Sequence, residues 1–200
     1  MLTVLTPTGA RPEAFAACVD MMAVQDYKKP VRWVLVDDGP EPMPTPTIYG
    51  WEVLHVRPFP LWKPGDNTQS CNMLFGLKFA TDRVVIVEDD DAYAEWWLTR
   101  CDEWLDKHDL VGESHSVYVH KNGNRKDCNN RRHASLCSTA VKGAGVQALK
   151  DACVDGPKFI DIVLWKSFAG PKMLYPPNPR GVTGVKGWPG RPGIGAGHDL

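Results

Sequence analysis

Residues 84–91 read Val-Val-Ile-Val-Glu-Asp-Asp-Asp, a continuous β-branched run that ends in four consecutive carboxylates. A short apolar run closed by polar residues predicts a buried strand, here over residues 84–87. A second apolar run, residues 31–36, ends in Asp37-Asp38-Gly39. In open α/β sheets, ligands bind outside the carboxyl ends of the strands. We therefore expect the two acidic turns to meet at one edge of a sheet and to form one site.

Strands and helices alternate along the first 110 residues. Apolar residues at helical spacing predict the helices, and apolar or alternating runs predict the strands. The predicted elements that flank the two acidic turns are a strand at 2–6, a helix at 12–22, an edge strand at 51–56, and helices at 67–80 and 93–107. This alternation predicts the α/β class, as a three-layer α/β/α sandwich with a mostly parallel sheet.

The pattern is looser after residue 110. It predicts a strand at 116–120, a basic loop at 121–132, and helices at 145–154 and 159–168. From Pro171 onward Pro and Gly dominate, so we predict no regular structure there beyond a strand at 172–175. Because no stretch has the composition of a linker, we expect a single domain over residues 1–200, with the second half ending in a Gly/Pro-rich loop.

The composition is that of an ordinary globular protein with a formal net charge of −1, so bulk electrostatics indicates no partner. The N-terminus lacks the basic segment of a signal peptide, and no apolar stretch is long enough for a membrane span. The six cysteines form no CxxC pair. We expect a cytoplasmic protein with reduced thiols, in the host cytoplasm if a virus encodes it. Zinc on Cys128, His133 and Cys137, with His115 or His120, matches no standard ligand spacing.

The acidic run at residues 88–91 indicates a cation, because four adjacent carboxylates at the end of a buried strand repel one another. Ligands that are all oxygen favour a hard ion such as Mg²⁺ or Mn²⁺. Such an ion bridges diphosphate oxygens and stabilises the charge on a departing nucleoside diphosphate. The alternative is a solvated loop whose acids only cap the following helix. The matching turn at Asp37-Asp38 favours the metal site.

In this order and spacing, three blocks of the chain resemble the family 2-like glycosyltransferases of the GT-A fold. The first is the strand, the Thr-Pro-Thr turn and the helix of residues 2–22. The second is residues 33–39, Trp-Val-Leu-Val-Asp-Asp-Gly, which is similar to the family's nucleotide-binding segment. The third is residues 72–98, where Glu88-Asp89-Asp90-Asp91 looks like the DXD motif. The resemblance covers about the first half of the chain and implies metal-dependent hexosyl transfer from a nucleoside diphosphate sugar, with UDP-glucose as a typical donor.

The resemblance also implies roles for individual residues. Residues 1–110 are expected to bind the nucleotide sugar, with Thr6 and Pro7 beside the nucleoside and Asp38 or Asp37 accepting a hydrogen bond from a uracil-type base. Asp89 faces the ribose or the sugar, and Asp91 ligates Mn²⁺ or Mg²⁺. Asp90 is able to replace either residue, because adjacent aspartates leave the register open.

The second half, residues 111–200, is expected to supply the acceptor site and the catalytic base. Residues 159–166 resemble the family's Glu-Asp segment on a short helix, with Ile160 in place of the usual Glu, so the resemblance implies that Asp161 deprotonates the acceptor hydroxyl in an inverting transfer. In the Gly-rich tail, Lys186 and Arg191 are candidates to clamp the diphosphate, and His198 to join the metal shell. The alternative for the tail is a disordered, low-complexity end, and for Asp161 a surface residue.

A basic segment concentrates positive charge in an otherwise neutral chain and is a candidate contact for nucleic-acid phosphates. Its candidate residues are Lys121, Arg125, Lys126, Arg131 and Arg132. The resemblance extends to phage glycosyltransferases that act on hydroxymethylated bases in duplex DNA, which makes such DNA a candidate partner. The alternatives are a surface polysaccharide or lipid-linked saccharide as acceptor, a non-catalytic nucleic-acid-binding module, and a plain solvated loop.

Overall fold

A seven-stranded mixed sheet forms the centre of the protein in a computed structural model that describes residues 1–63 and 66–191. Its strands are β1 Leu2–Thr8, β2 Val31–Asp37, β3 Trp51–Val56, β4 Arg83–Ile86, β6 Leu110–Glu113, β9 Thr139–Lys142 and β10 Lys172–Tyr175. They lie in the order β10-β6-β9-β4-β1-β2-β3. The strands β1 to β4 pair in parallel, as do β6 and β10, whereas β9 runs antiparallel to both of its neighbours. The predicted mostly parallel sheet and the edge position of β3 are confirmed.

Helices cover both faces of this sheet because successive strand residues point to opposite sides. The helices are α1 Pro12–Ala23, α2 Thr68–Gly76, α3 Trp97–Lys107, α4 Ala144–Val154 and α5 Ile160–Ser167, with a short 3-10 helix at Leu136–Ser138. On one side of the sheet Val4, Trp33 and Val85 pack with α1 and α3, and on the other side Leu5 and Ile86 pack with α2, α4 and α5. The predicted three-layer α/β/α class is therefore confirmed.

A second, four-stranded sheet stands beside the main one and was not predicted. Its order is β5-β11-β7-β8, with β5 Ala92–Tyr93, β7 Val117–His120, β8 Arg125–Asp127 and β11 Val182–Lys186. The expectation of no regular structure beyond residue 175 was wrong, since β11 pairs in parallel with β7 and antiparallel to β5. Gly184 permits this pairing, because a Cβ atom there would lie 2.3 Å from the Tyr118 ring.

Two helix boundaries and three short strands also differ from the predictions. Helix α3 begins at Trp97 rather than at residue 93, because Tyr93 pairs with Val182 of β11. Helix α2 ends at Gly76, and the predicted basic loop contains the strand β8. The short strands β6 and β9 lie in stretches where the sequence predicted none. No helix in residues 1–63 and 66–191 is long and apolar enough to cross a bilayer.

Candidate active site

A cavity of about 400 Å³ opens at the carboxyl ends of β1, β2 and β4. Its walls come from these strand ends, from the beginnings of α2 and α5, and from the segment that follows β11. Six residues predicted for the site line this cavity: Pro7, Asp38, Asp90, Asp161, Lys186 and Arg191. The two acidic turns meet as expected, because Thr8 joins them: its carbonyl accepts from the Asp38 amide at 3.1 Å, and its hydroxyl donates to Asp89 at 2.7 Å.

The acidic run after β4 forms a turn, in which the Asp91 amide donates to the Glu88 carbonyl at 3.4 Å. Glu88 and Asp90 line the cavity, whereas Asp89 and Asp91 are 1% exposed and do not line it. Of the residues predicted in this run, Asp90 therefore faces the cavity and Asp89 and Asp91 do not. Glu88 was missed as a site residue, because residues 84–87 before it are all buried and indicate no ligand-facing side. Gln69 of α2 donates a hydrogen bond to Glu88.

Asp89 is held by two residues from the β1–α1 region. Thr8 donates to one of its oxygens and Arg11 donates to the other. Arg11 also donates to Asp90 Oδ2 at 2.9 Å, so one guanidinium bridges two carboxylates. Burial raises the pKa of Asp89 to about 7, although Arg11 acts in the opposite direction. No local pattern in the sequence marks Arg11, because its partners lie almost eighty residues away in the chain.

Asp91 is held from the other side by β11. The Lys186 ammonium donates to Asp91 Oδ1 at 2.9 Å and to Asp90 Oδ2 at 3.3 Å, and the Val185 amide donates to Asp91 at 3.0 Å. Lys186 is only 4% exposed. Burial alone would lower the pKa of Lys186, but Asp91, Asp90 and Glu88 raise it well above its usual value. Lys186 is therefore an ammonium ion among the acids.

The ligand set predicted for a divalent metal is only partly available. Both Asp89 oxygens have protein partners and Asp91 Oδ1 accepts from Lys186, whereas Asp91 Oδ2 is buried without a hydrogen-bond partner among residues 1–63 and 66–191; His198 lies outside the described residues. In the described part of the chain, one group of potential ligands comes together: Glu88, Asp91 and Cys137, with ligand atoms within 4.8 Å of one another. This group contains neither Cys128 nor His133, so the zinc alternative gains no support.

Asp37 and Asp38, at the end of β2, have different roles: the first holds a loop and the second lines the cavity. Asp37 is fully buried and accepts from the amides of Gly39 at 2.9 Å and Met43 at 2.7 Å, with His55 at 3.2 Å. It holds the loop and does not line the cavity. Asp38 does line the cavity, and Arg191 donates to both of its oxygens at 2.7 Å.

The two residues of β1 that were predicted to lie beside the nucleoside are in different environments. Pro7 lines the cavity, whereas Thr6 is fully buried and its hydroxyl accepts from the Trp33 indole at 2.9 Å. A residue inside the strand has its side chain in the core, while the residues at the carboxyl end reach the ligand edge. The position of Thr6 is thus that of a core residue.

The segment after β11 forms one wall of the cavity. Trp188 donates from its indole to the Asp90 carbonyl at 2.9 Å, and the Arg191 amide donates to the Ala10 carbonyl at 3.2 Å. Gly190 permits this approach, because a Cβ atom there would lie 2.0 Å from the Ala10 oxygen and its φ is +109°. The tail up to Arg191 is therefore ordered against the site and is no low-complexity end.

Asp161 lies in the first turn of α5 and lines the cavity opposite the tail. Burial raises its pKa, while the Ile162 amide and the nearby His133 act in the opposite direction. A carboxylate with a raised pKa, at the wall of a cavity and near an imidazole, has the properties of a general base. The sequence predicted this residue from the resemblance of residues 159–166 to the family's Glu-Asp segment, and its role as a base stays a prediction.

The predicted nucleic-acid contacts lie outside the cavity. Lys121, Arg125, Lys126, Arg131 and Arg132 are all exposed, and none lines the cavity. Lys121 lies 4.1 Å from the Trp188 ring centroid, and Arg125 pairs with Asp127 at 2.9 Å. Within the same segment Cys128 and Asn130 do line the cavity. The basic segment therefore borders the cavity mouth.

No family model and no curated protein sequence matches this chain. Solved structures match in fold. TarS 1-349 of S. aureus in complex with UDP-GlcNAc superposes with a TM-score of 0.65 at 14% identity, over 98% of this chain and 60% of that one. The mannosyltransferase PcManGT from Pyrobaculum calidifontis, in complex with GDP-Man and Mn²⁺, gives 0.56 at 14% identity, over 92% and 56%. The chain thus spans about three fifths of the length of these proteins. These likenesses show that the chain has the fold of the GT-A glycosyltransferases.

Proposed function

We propose that this protein transfers a sugar from a nucleoside diphosphate sugar to a hydroxyl acceptor. The observation that carries the proposal is the cavity at the carboxyl edge of a GT-A sheet, where Asp38, the Glu88–Asp90 pair and Asp161 converge with Lys186 and Arg191. Its volume, about 400 Å³, is in the range of small-molecule sites. Two proteins of the same fold are complexes with UDP-GlcNAc and with GDP-Man.

The proposed donor is UDP-linked and lies between the two acidic turns. Asp38 accepts a hydrogen bond from the base, and Glu88 and Asp90 take the ribose and sugar contacts expected of Asp89 and Asp91. The diphosphate lies near Lys186 and Arg191, whose positive charges favour it electrostatically. Residues 1–110 supply most of the donor site in this proposal, and residues 111–200 supply the acceptor site together with these two cations.

The proposed chemistry is an inverting displacement. Asp161 accepts the proton of the acceptor hydroxyl as the hydroxyl oxygen forms a bond to the anomeric carbon of the sugar. The bond from that carbon to the diphosphate oxygen breaks, and UDP departs with the electron pair. The cations of the cavity stabilise the charge that develops on the diphosphate. The proposed transfer does not itself require the predicted Mn²⁺ or Mg²⁺, although the mannosyltransferase of the same fold is a complex with Mn²⁺.

The substitution Asp161→Asn tests the proposal in its most specific part. We expect the transfer rate to fall by about 10²- to 10⁴-fold, because the general base is lost, while the affinity for UDP stays unchanged. In the wild type, activity falls on acidification at a pH above the ordinary aspartate value of about 4, since burial raises the Asp161 pKa. The measurement is the pH profile of kcat/KM, with the anomeric configuration of the product read by NMR.

The matched control is Asp151→Asn, an exposed carboxylate on α4 that bonds Gln147. It should match the wild type in rate and in pH profile. A wild-type rate for Asp161→Asn would remove Asp161 from the chemistry. Lost UDP affinity would instead make it a structural residue of the donor site.

For the acceptor we propose hydroxymethylated bases in duplex DNA, because the five exposed cations belong to a segment whose residues Cys128 and Asn130 line the cavity. Reversing the charge at Lys126, Arg131 and Arg132 should reduce transfer to such DNA at least tenfold and weaken its salt dependence, with UDP-sugar hydrolysis unchanged. An equal loss of hydrolysis would contradict this role. Transfer to a saccharide but not to DNA would favour a surface polysaccharide or lipid-linked acceptor. Salt-sensitive DNA binding without any nucleotide response would indicate a non-catalytic module.

A further inference from the structure

We infer that Lys186, together with Arg11, supplies the positive charge that a divalent metal was predicted to supply, so that the nucleoside diphosphate binds without a metal. The inference rests on the proposed function and specifies the chemistry of its donor site. It comes from the disagreement between the predicted metal ligands and the partners that these ligands have in the structure.

Lys186 is built into the acidic cluster by the second sheet. Residues of β11 pair in parallel with β7, with Lys186 in register with His120, and this pairing fixes the backbone beside Asp91. The side chain is 5% exposed, and its ammonium lies 2.9 Å from Asp91 and 3.3 Å from Asp90. The Tyr118 ring centroid lies 5.7 Å from the same ammonium. The position of this lysine is thus fixed by burial, by two carboxylates and by an aromatic ring, which is not the case for a lysine in a surface ion pair.

Arg11 completes the arrangement from the opposite side. It donates to Asp89 and, at 2.9 Å, to Asp90 Oδ2. The same oxygen of Asp90 accepts from Lys186. A divalent ion bound to this oxygen would lie within a few ångströms of two fixed cations, where like charges repel strongly. Binding there would require displacing one of the two cations.

The remaining potential ligands suit a hard ion poorly. Glu88 and Cys137 line the cavity, but Asp91 is 1% exposed and does not. A thiol is a soft ligand, whereas Mg²⁺ and Mn²⁺ prefer carboxylate, carbonyl and water oxygens. Asp91 Oδ1 already holds Lys186, and Asp91 Oδ2 is buried without a hydrogen-bond partner among the described residues, so an ion on this group would bind Oδ2 close to the Lys186 ammonium, which repels it.

The two cations also face the space where a diphosphate would bind. Arg11, Lys186 and Arg191 all line the cavity, and the first two are held in place by the acids behind them. The buried carboxylates of Asp89 and Asp91 then act as positioning residues for the two cations. A preorganised ammonium beside the leaving oxygen stabilises developing charge in the same way as a bound ion.

The first experiment uses the unmodified protein and measures its affinity for UDP by calorimetry, with excess EDTA in one arm and with Mn²⁺ in the other. We expect the two dissociation constants to agree within about twofold, because Lys186 and Arg11 are present in both arms. UDP binding that requires Mn²⁺ would overturn the inference and leave the proposed function standing. Failure of UDP, GDP, CDP and ADP to bind in either arm would overturn both.

The second experiment removes the ammonium with Lys186→Met, and Lys107→Met on the exposed end of α3 is the control. We expect Lys186→Met to lose UDP affinity by about tenfold or more in EDTA and to regain part of it with Mn²⁺. A gain of metal dependence is a readout that a purely structural lysine would not produce. Unchanged UDP affinity in EDTA would overturn the inference.

A double variant covers the case in which Lys186→Met does not fold. Lys186→Met with Asp91→Asn removes the ammonium and the charge of its principal partner together, so no lone carboxylate stays buried. We expect this variant to fold, to bind UDP about tenfold more weakly than the wild type, and to respond to Mn²⁺ less than Lys186→Met does. Wild-type affinity in this variant would overturn the inference as well.

Discussion

The two acidic turns of the site look alike in sequence and are held in different ways. At the end of β2, the buried Asp37 accepts hydrogen bonds from Gly39 and Met43, amides of its own loop. At the end of β4, the buried Asp89 and Asp91 are held by residues distant in the chain: Thr8, Arg11 and Lys186. The buried acid of the first turn is therefore held largely by its own loop, with His55 as a further partner, whereas the buried acids of the second turn need β1, α1 and β11 in place.

The two turns therefore differ in how far their stability depends on residues elsewhere in the chain. A carboxylate that accepts from backbone amides fixes a loop whatever the rest of the chain does. A cluster of four acids, in contrast, is stable only when its counter-ions are docked, since unpaired buried charges cost several kcal/mol each. The β4 turn should therefore respond most strongly to changes in distant residues.

The largest effect is expected for Arg11→Met. It leaves Asp89, whose side chain is fully buried, without its ion-pair partner, so we expect the free energy of unfolding to fall by roughly 3 kcal/mol. The control is Arg125→Met, whose partner Asp127 is exposed, and it should be indistinguishable from the wild type. Urea denaturation of the three proteins measures the difference. Similar stabilities for the two variants would mean that the β4 turn does not depend on distant counter-ions.

The fold was predictable from the sequence where local patterns carry it. The β-branched runs before Asp37 and Glu88 are long enough to predict buried parallel strands, and their acidic ends mark the ligand edge. The strand β11 was not predictable, because Lys186 and Gly184 have low strand propensity and its pairing with β7 depends on close contact with Tyr118.

In the candidate site, too, the residues next to a local sequence pattern were predictable and the others were not. Asp38 and Asp90 were predicted because each follows a recognisable strand, and Asp161 because residues 159–166 resemble a known segment; all three line the cavity. Arg11 was not, because nothing near it in sequence shows that it bonds Asp89 and Asp90 across the sheet edge. Lys186 was predicted to contact a diphosphate, but its partners among the acids were not, since long-range ion pairs leave no periodic signal.

The β2 turn provides a second test, with smaller expected effects. Asp37→Ala removes the acceptor of two backbone amides, so we expect a loss of about 2 kcal/mol of stability and, below the melting temperature, little change in UDP affinity. Asp38→Ala loses only a partly exposed pair with Arg191, so stability should change by less than about 1 kcal/mol.

For UDP affinity we expect the opposite order, with a larger effect of Asp38→Ala than of Asp37→Ala. Asp38→Ala is expected to weaken binding by about tenfold, because the proposed hydrogen bond to the base is lost. Thermal unfolding and calorimetry on the same samples separate the two quantities. If Asp37→Ala instead weakened UDP binding and left stability intact, the base would contact Asp37. The local hydrogen bonds of the β2 turn would then be part of the binding site, and the contrast between the two turns would no longer hold.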